Sequence, residues 1–254
     1  MLHVYGVMRP GATLPGLPGV GEPPGELRLV DWQDLAAVVS PLVDETQLTD
    51  QDAVRHLDVL TTIVAEHDVL PLPFGVAAPD DSAVREEVLE QPAPDLRARL
   101  EALRGHVELR VDLTFDEEQA LRQVLAEHPE LSTAMGPDCS FQERVQLGEQ
   151  ISAQLAARTS EQGERMMAGV IPLAADTHRE AGGAPTLDRW SLLVPRSRVA
   201  EVDQGVHALG DHAHLQVEYV GPLPPYSFLG RSDATSRPAG EGGWGASGSG
   251  RWGW

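Results

Sequence analysis

Residues 106–113 read HVELRVDL, and this stretch decides the fold of the second half of the chain. The apolar side chains of Val107, Leu109, Val111 and Leu113 alternate with polar or charged ones. Because successive side chains of a β-strand point to opposite faces, the alternation predicts a strand with one face buried and the other facing water.

A long helix is predicted downstream of this strand. Residues 140–143 read SFQE, a capping box in which the serine hydroxyl and the glutamate carboxylate bind the first free amides of a helix. Small and apolar residues then recur at helical spacing and predict one buried stripe, formed by Phe141, Val145, Gly148, Ile151 and Leu155. The intervening segment, residues 115–139, is predicted to add a short helix.

The remaining elements complete an order typical of one fold. The sequence predicts strands over 170–174 and 190–194, a helix over 196–209 and a last strand over 215–220. Counted from residues 106–113, the order is β-α-β-β-α-β, the split βαβ or ferredoxin-like arrangement. We therefore predict a C-terminal ferredoxin-like domain over residues 105–229.

The first part of the chain predicts a separate α+β domain over residues 1–104. Short apolar runs indicate strands at 2–7, 27–30 and 35–39, and the Gly- and Pro-rich residues 10–25 indicate a loop. A helix should begin after Thr49 and pack one stripe on this small sheet, formed by Val54, Leu57, Leu60 and Val64. The predicted fold class is therefore α+β with two domains.

Two proline-punctuated segments stand outside this pattern. Residues 69–76 read VLPLPFGV and residues 221–228 read GPLPPYSF. Proline fixes φ and has no backbone donor, so we expect both segments to leave regular structure and to run over a core. Neither segment carries a catalytic side chain.

Composition excludes several classes of function. The chain has 39 acidic and 19 basic residues, a net charge of −20, which argues against a nucleic-acid partner. The basic residues are all arginine, so Schiff-base and P-loop lysines are absent. No apolar run is long enough to span a membrane, and the N-terminus does not resemble a secretory signal. The single cysteine agrees with a reducing compartment, so we expect a cytoplasmic protein.

The candidates for catalysis are weak. Nine histidines are scattered through the chain, and only His212 and His214 form a close pair, which on one strand face would make a weak metal site. The Cys139 thiol precedes a helix cap, where its pKa would be lowered. An enzyme using Cys139 or the histidine pair is the remote alternative; we predict no catalytic residue, no cofactor and no metal.

The last 25 residues differ in composition. Residues 230–254 are rich in glycine and contain three of the five tryptophans, Trp244, Trp252 and Trp254. With no aliphatic pattern, this tail is predicted to be disordered.

Three motifs in register resemble the gas vesicle protein F/L family: VLPLPFG at 69–75, LRGHVEL at 103–109 and GPLPPYSF at 221–228. The likeness runs from about Leu2 to Leu229. The resemblance implies an accessory protein of gas vesicle assembly, cytoplasmic and associated with gas vesicles, with a ferredoxin-like C-terminal part. It implies contacts with the hydrophobic shell protein and other accessory proteins, and it brings no catalytic residues. A stable minor component of the vesicle is the alternative.

Apolar residues of the two proline segments are the predicted partner contacts. The candidates are Leu72, Phe74, Val76, Tyr226 and Phe228. The alternative is that these side chains pack in the core between the domains.

Overall fold

The computed structural model describes residues 1–43, 48–133, 140–180, 183–210, 212 and 214–229. They form a mixed α/β fold with two sheets, and the chain divides into two units. Unit 1 contains residues 1–108 together with the described residues from Pro222 onward. Unit 2 contains residues 109–221.

The sheet of unit 1 is built around its first strand. Its strands are β1 (Leu2–Met8), β2 (Arg28–Trp32), β3 (Leu35–Pro41), β4 (Val69–Pro71) and β5 (Ala77–Ala78). The order is β2-β3-β1-β4, β5 also pairs with β1, and these pairings are antiparallel. All seven residues of β1 are buried, so both faces of this strand are covered.

The helices of unit 1 cover this sheet. They are α1 (Asp50–Glu66), α2 (Asp81–Ala83), which continues into a π-helical turn at Val84–Glu90, and α3 (Ala93–Ala102). Thr49 caps α1 in a capping box with Asp52, and Asp80 caps α2. Both caps lie where polar side chains can bind the free amides of the first turn.

Glycine is required in the middle of β1. A Cβ atom on Gly6 would lie 2.7 Å from the carbonyl oxygen of Leu70 and 3.0 Å from a methyl group of Val69. The absence of a side chain therefore lets β4 approach β1 closely. The register of β1 with β3 shifts between Val4 and Gly6, which makes Tyr5 the extra residue of a β-bulge.

Unit 2 combines a four-stranded sheet with helices. Its elements are β6 (His106–Phe115, which begins in unit 1), α4 (Glu117–Glu127), α5 (Pro129–Thr133), α6 (Phe141–Met167), β7 (Asp176–Glu180), β8 (Leu187–Pro195), α7 (Val199–Leu209) and β9 (Leu215–Leu223, which ends in unit 1). The sheet order is β7-β8-β6-β9. Helix α4 packs against α6 around a small cluster that includes Val124, Leu131 and Leu155.

Charged pairs fill part of the interior of unit 2. The Arg179 guanidinium donates to Asp188 at 2.5 Å and lies 4.8 Å from the ring centre of Trp190. The indole of Trp190 also donates to Asp188, at 2.8 Å. Arg189 binds Asp112 through both carboxylate oxygens, which raises the pKa of the guanidinium. These pairs explain why Asp112 and Asp188 are buried.

The predicted stripes of two helices are partly wrong. On α1, Val54 and Leu57 are exposed, and the buried face consists of Asp52, His56, Val59, Leu60, Ile63 and Val64. On α6, Phe141 and Val145 are exposed, and the buried face consists of Leu147, Leu155, Thr159, Gly163 and Met167. In both helices polar or small residues that meet specific partners displace apolar ones from the interior.

The strand predicted over residues 170–174 is also wrong. Pro172 lies in a 3₁₀ turn at Ile171–Leu173, and the strand comes later, at Asp176–Glu180. This strand, β7, reads DTHRE and occupies an edge of the sheet, so it has no apolar alternation to reveal it.

Two further expectations need correction. Residues 69–71 form the buried strand β4 instead of leaving the sheet. The polar side of β6 does not face water throughout, because Glu108 and Asp112 are buried. Asp112 is buried because Arg189 neutralises it, and Glu108 is buried because Ser227 donates two hydrogen bonds to it.

The predicted domain limits, 1–104 and 105–229, stay a prediction. The division at residues 108 and 109 lies close to the first limit, but residues 222–229 belong to unit 1. The predicted tail, residues 230–254, lies outside the described residues. Among the helices of the described part, none combines the length and apolarity needed to cross a bilayer.

Gly163 on α6 gives a direct test of unit 2. A Cβ atom there would lie 1.6 Å from a carboxylate oxygen of Asp188, so Gly163→Ala should lower the free energy of unfolding by about 1–3 kcal/mol. Gly148 lies on the same helix with open space around it, so Gly148→Ala should raise that free energy by about 0.5–1 kcal/mol. Denaturant unfolding of both variants measures the difference. Equal stability of the two variants would contradict the close contact.

Candidate functional site

The two proline-punctuated segments meet in unit 1. Beyond β4, the amide of Leu72 donates to the carbonyl of Tyr5, and the amide of Val4 donates to the carbonyl of Val76. The second segment ends in a 3₁₀ turn at Tyr226–Phe228. The hydroxyl of Tyr226 donates to the Leu72 carbonyl at 2.8 Å, which joins two segments 154 residues apart.

A pair of buried histidines lies beneath this junction. Nε2 of His3, on β1, is 2.9 Å from Nδ1 of His56, on α1. Both side chains are buried, His3 completely. We call His3, Tyr5, His56, Phe74 and Tyr226 the histidine–aromatic cluster.

The hydrogen-bond network assigns the tautomers of both histidines. Nε2 of His56 lies 3.1 Å from the Leu72 carbonyl, which can only accept, so this nitrogen carries the proton. Nδ1 of His56 therefore accepts from Nε2 of His3. Nδ1 of His3 is left as a buried acceptor with no hydrogen-bond partner within the described residues.

Aromatic packing holds the rings in place. The His3 ring meets Tyr5 and His56 edge to face, with centroid distances of 4.7 and 5.1 Å. Tyr5 and His56 stack at 5.2 Å. Phe74 lies 5.7 Å from both histidine rings and covers them on one side. Such contacts stabilise a defined geometry beyond the burial of area.

A second network fixes the loop of residues 10–25 to the cluster. The Tyr5 hydroxyl accepts from the amide of Val20 and shares a hydrogen bond with Ser40. Asp52, one turn before His56 on α1, accepts from the amide of Gly21 at 2.8 Å and from Thr49. The buried polar residues of α1 therefore have specific partners, which determine how the helix is rotated.

The cluster is uncharged at neutral pH. Burial, with a smaller contribution from His56, lowers the pKa of His3 to about 3. Burial lowers the pKa of His56 to about 4, although its bond to the Leu72 carbonyl acts in the opposite direction. Burial also raises the pKa of the Tyr226 phenol. With these pKa values the two imidazoles and the Tyr226 phenol are neutral near pH 7.

The C-terminal segment has its own anchors in unit 1. The amide and hydroxyl of Ser227 donate to the two carboxylate oxygens of Glu108, at 3.0 and 2.7 Å. Arg99 donates to the carbonyl of Leu229. Phe228 is buried. These contacts place residues 222–229 in unit 1 despite their distance along the chain.

The predicted partner contacts are distributed between core and surface. Leu72 and Phe228 are buried, and Val76 and Tyr226 are half-buried. Phe74 is 37% exposed. Whether these side chains bind a partner stays a prediction.

Sequence reasoning missed the histidines of this site. His3 and His56 are 53 residues apart, and nothing in the local pattern links them. The only available signal is the spacing of His56, which lies four residues after Asp52 and four before Leu60, all now on the buried face of α1.

The catalytic alternatives do not converge on a site in the described residues. His212 and His214 lie in the turn before β9 instead of on a strand, and His214 has a φ of 66°. Cys139 lies outside the described residues. Among the described side chains, no group of three or more His, Cys, Asp or Glu is placed to hold a metal ion.

The chain resembles known proteins over most of its length. Residues 1–230 match the family described as "Gas vesicle synthesis protein GvpL/GvpF". The chain is 33% identical over 241 residues to gas vesicle protein F of Streptomyces sp. (strain CB03234), covering 89% of this chain and 98% of that protein. It is 24% identical over 233 residues to gas vesicle protein F1 of Halobacterium salinarum, covering 90% and 92%.

Solved structures share the fold. The crystal structure of GvpF from Microcystis aeruginosa matches with a TM-score of 0.76 and 20% identity, over 90% of this chain and 98% of that chain. GvpF from Anabaena sp. PCC7120 matches with a TM-score of 0.75 and 19% identity, over 90% and 97%. The mixed α/β architecture is therefore that of GvpF structures.

The histidine pair predicts an acid-sensitive fold. Because the folded-state pKa values lie below the ordinary 6.5, the unfolded chain binds protons first as the pH falls. The contribution of the two histidines to the free energy of unfolding is therefore present above about pH 6.5 and falls as the pH drops toward about pH 4. Between about pH 7 and about pH 5 we expect a loss of about 2 kcal/mol for each histidine, measured by denaturant unfolding.

A matched pair of variants locates the source of this dependence. His56→Gln should lower stability near pH 7 but flatten its decline at lower pH. His207→Gln, at an exposed position of α7, should keep the wild-type profile. If the stability of His56→Gln falls with pH in parallel with that of the wild type, the histidine pair is not the source of the acid sensitivity.

Proposed function

Because the chain belongs to the gas vesicle synthesis protein GvpL/GvpF family, we propose that it is a non-enzymatic accessory protein of gas vesicle assembly. It binds the hydrophobic shell protein, other accessory proteins, or both, while vesicles nucleate or grow in the cytoplasm. A shell subunit exposes apolar faces and unpaired strand edges before assembly, and such surfaces aggregate unless a partner covers them.

The exposed ring of Phe74 supports this proposal most directly. It belongs to the first proline segment, and it lies over a buried, uncharged network that also holds the second. A side chain held in one position loses little entropy when a partner covers it, and aromatic side chains are common anchors of interfaces. Val76 and Tyr226, both half-buried, extend the proposed contact, and Leu72 and Phe228 support it from the interior.

The chemistry of the described residues supports a binding role. The histidine–aromatic cluster is uncharged near neutral pH and includes no cysteine or serine that could act as a nucleophile. The family is described by gas vesicle synthesis and not by a reaction. We therefore propose that the cluster positions a surface instead of carrying out catalysis.

We also propose that unit 2 is a ferredoxin-like domain. The order β6-α6-β7-β8-α7-β9 follows the β-α-β-β-α-β pattern, with α4 and α5 inserted after the first strand. In the sheet order β7-β8-β6-β9, the first and third of these strands are neighbours at the centre. On this proposal, unit 1 is an α+β domain that the last described residues of the chain rejoin.

Co-expression with the gas vesicle shell protein of the same organism tests the function. Affinity capture of this chain from the soluble fraction should recover soluble shell protein in a defined ratio. Phe74→Ala should reduce that recovery, whereas Phe141→Ala, at an exposed phenylalanine of α6, should not. A folded chain that captures no shell or accessory protein and stays on washed vesicles would favour a retained structural component instead.

Stability measurements distinguish the proposed contact residue Phe74 from the buried Leu72. Leu72 is 1% exposed, so Leu72→Ala should lower the free energy of unfolding by about 2–5 kcal/mol. The Phe74 ring keeps part of its surface in water, so Phe74→Ala should cost less, about 1–2 kcal/mol. Thermal or denaturant unfolding gives both values. A larger loss for Phe74→Ala, with shell-protein capture unchanged, would assign Phe74 to the core.

A further inference from the structure

The outward face of α1 carries apolar side chains that the fold leaves uncovered. Val54 is 59% exposed and Leu57 is 42% exposed. They lie three residues apart and therefore on one side of the helix. Isolated exposed apolar residues are common on protein surfaces, but these two lie on one helix face with exposed acidic residues beside them.

Helix α1 cannot turn about its axis to bury Val54 and Leu57. The capping box of Thr49 and Asp52 fixes the first turn, and Asp52 also accepts from the amide of Gly21. His56 is held by His3 and by the Leu72 carbonyl. Turning Val54 inward would remove Asp52 and His56 from these partners, at the cost of unsatisfied buried polar groups.

Phe74 packs beside α1, with its ring 5.7 Å from the ring of His56, the residue before Leu57. On the flank of α1 that carries Leu57, Leu60 approaches Gly6 beside β4. Arg55 lies on the opposite flank, where it lines a cleft with Val43 at the end of β3. Val54 and Leu57 are the exposed apolar residues of α1, and the partly exposed Phe74 lies beside the same helix.

Acidic side chains flank these apolar residues. Asp50 and Asp58 are exposed and lie four residues before and after Val54, on the same side of the helix. The only basic side chain of α1 apart from His56 is Arg55, which is paired with Asp52 at 3.5 Å. We call Asp50, Val54, Leu57, Asp58 and Phe74 the α1 surface.

We propose that the α1 surface binds an amphipathic helix of a partner protein whose apolar stripe is flanked by arginine or lysine. Exposed apolar residues one turn apart on a helix match the ridges and grooves of another helix. Asp50 and Asp58 select basic flanks through charge complementarity. A second copy of this chain is disfavoured, because it would bring the same acids, and a net charge of −20, against each other.

This inference rests on the proposed function only for the identity of the partner. The surface and the chemistry of its ligand follow from α1 and Phe74 alone. The inference and the proposed function can therefore fail separately.

Peptide binding tests the inference with the full chain. The probes are two labelled synthetic helices with the same leucine stripe, one flanked by arginine and one by glutamate, followed by fluorescence anisotropy. The basic peptide should bind at least about tenfold more tightly than the acidic one. The double variant Val54→Gln, Leu57→Gln should weaken the basic peptide about tenfold or more, whereas Val145→Gln, at an exposed valine of α6, should not.

A charge variant separates complementarity from simple apolar contact. Asp58→Lys should weaken binding of the basic peptide about three- to fivefold at low salt. The difference should shrink in about 1 M salt, where the Debye length falls to about 3 Å and surface charges are screened. Glu149→Lys, at an exposed position of α6, is the matched control. Thermal unfolding of each variant shows that it is folded.

The outcomes distinguish the two proposals. Equal binding of both peptides, or unchanged binding of the basic peptide by the double variant, overturns the inference. If the double variant still captures shell protein like the wild type, the proposed function stands and the inference fails for that partner. If the wild type binds the basic peptide through the α1 surface but captures no shell or accessory protein, the inference stands and the proposed function fails.

Discussion

The hydrogen bond between His3 and His56 is the interaction on which unit 1 depends. It joins the central strand β1 to α1 at a buried position, where both rings stay uncharged and keep one arrangement of protons. The Leu72 carbonyl completes that arrangement, and Tyr226 binds the same carbonyl. The network around this buried contact therefore links both proline segments to β1 and α1.

The same contact determines which side chains reach the surface. With Asp52 and His56 turned inward, α1 must present Val54 and Leu57 outward, and Phe74 closes over the histidines with part of its ring in water. The apolar surface of unit 1 is thus a consequence of satisfying buried polar groups. This surface is the basis of the binding role that we propose for the chain.

Unit 2 buries polar groups by a different route. Arg179 and Arg189 neutralise Asp188 and Asp112 in pairs with short hydrogen bonds, and Gly163 lets α6 approach one of these carboxylates. Such pairs specify one arrangement because removing either partner leaves a buried charge. The Arg189–Asp112 pair also explains why β6 buries Asp112 in addition to the apolar side chains that were expected to be buried.

The sequence by itself determined the features that depend on neighbours along the chain. These include strands β1, β2 and β3 of the first sheet, the capped starts of α1 and α6, the alternation of apolar residues in β6 and the family motifs. The tertiary structure alone decided the rotation of α1, the pairing of His3 with His56 and the return of residues 222–229 to unit 1. The physical reason is that periodicity reports which residues share a face, whereas the buried face is chosen by polar partners far away in sequence. His56 finds one partner 53 residues before it and another 170 residues after it, and no local pattern records either.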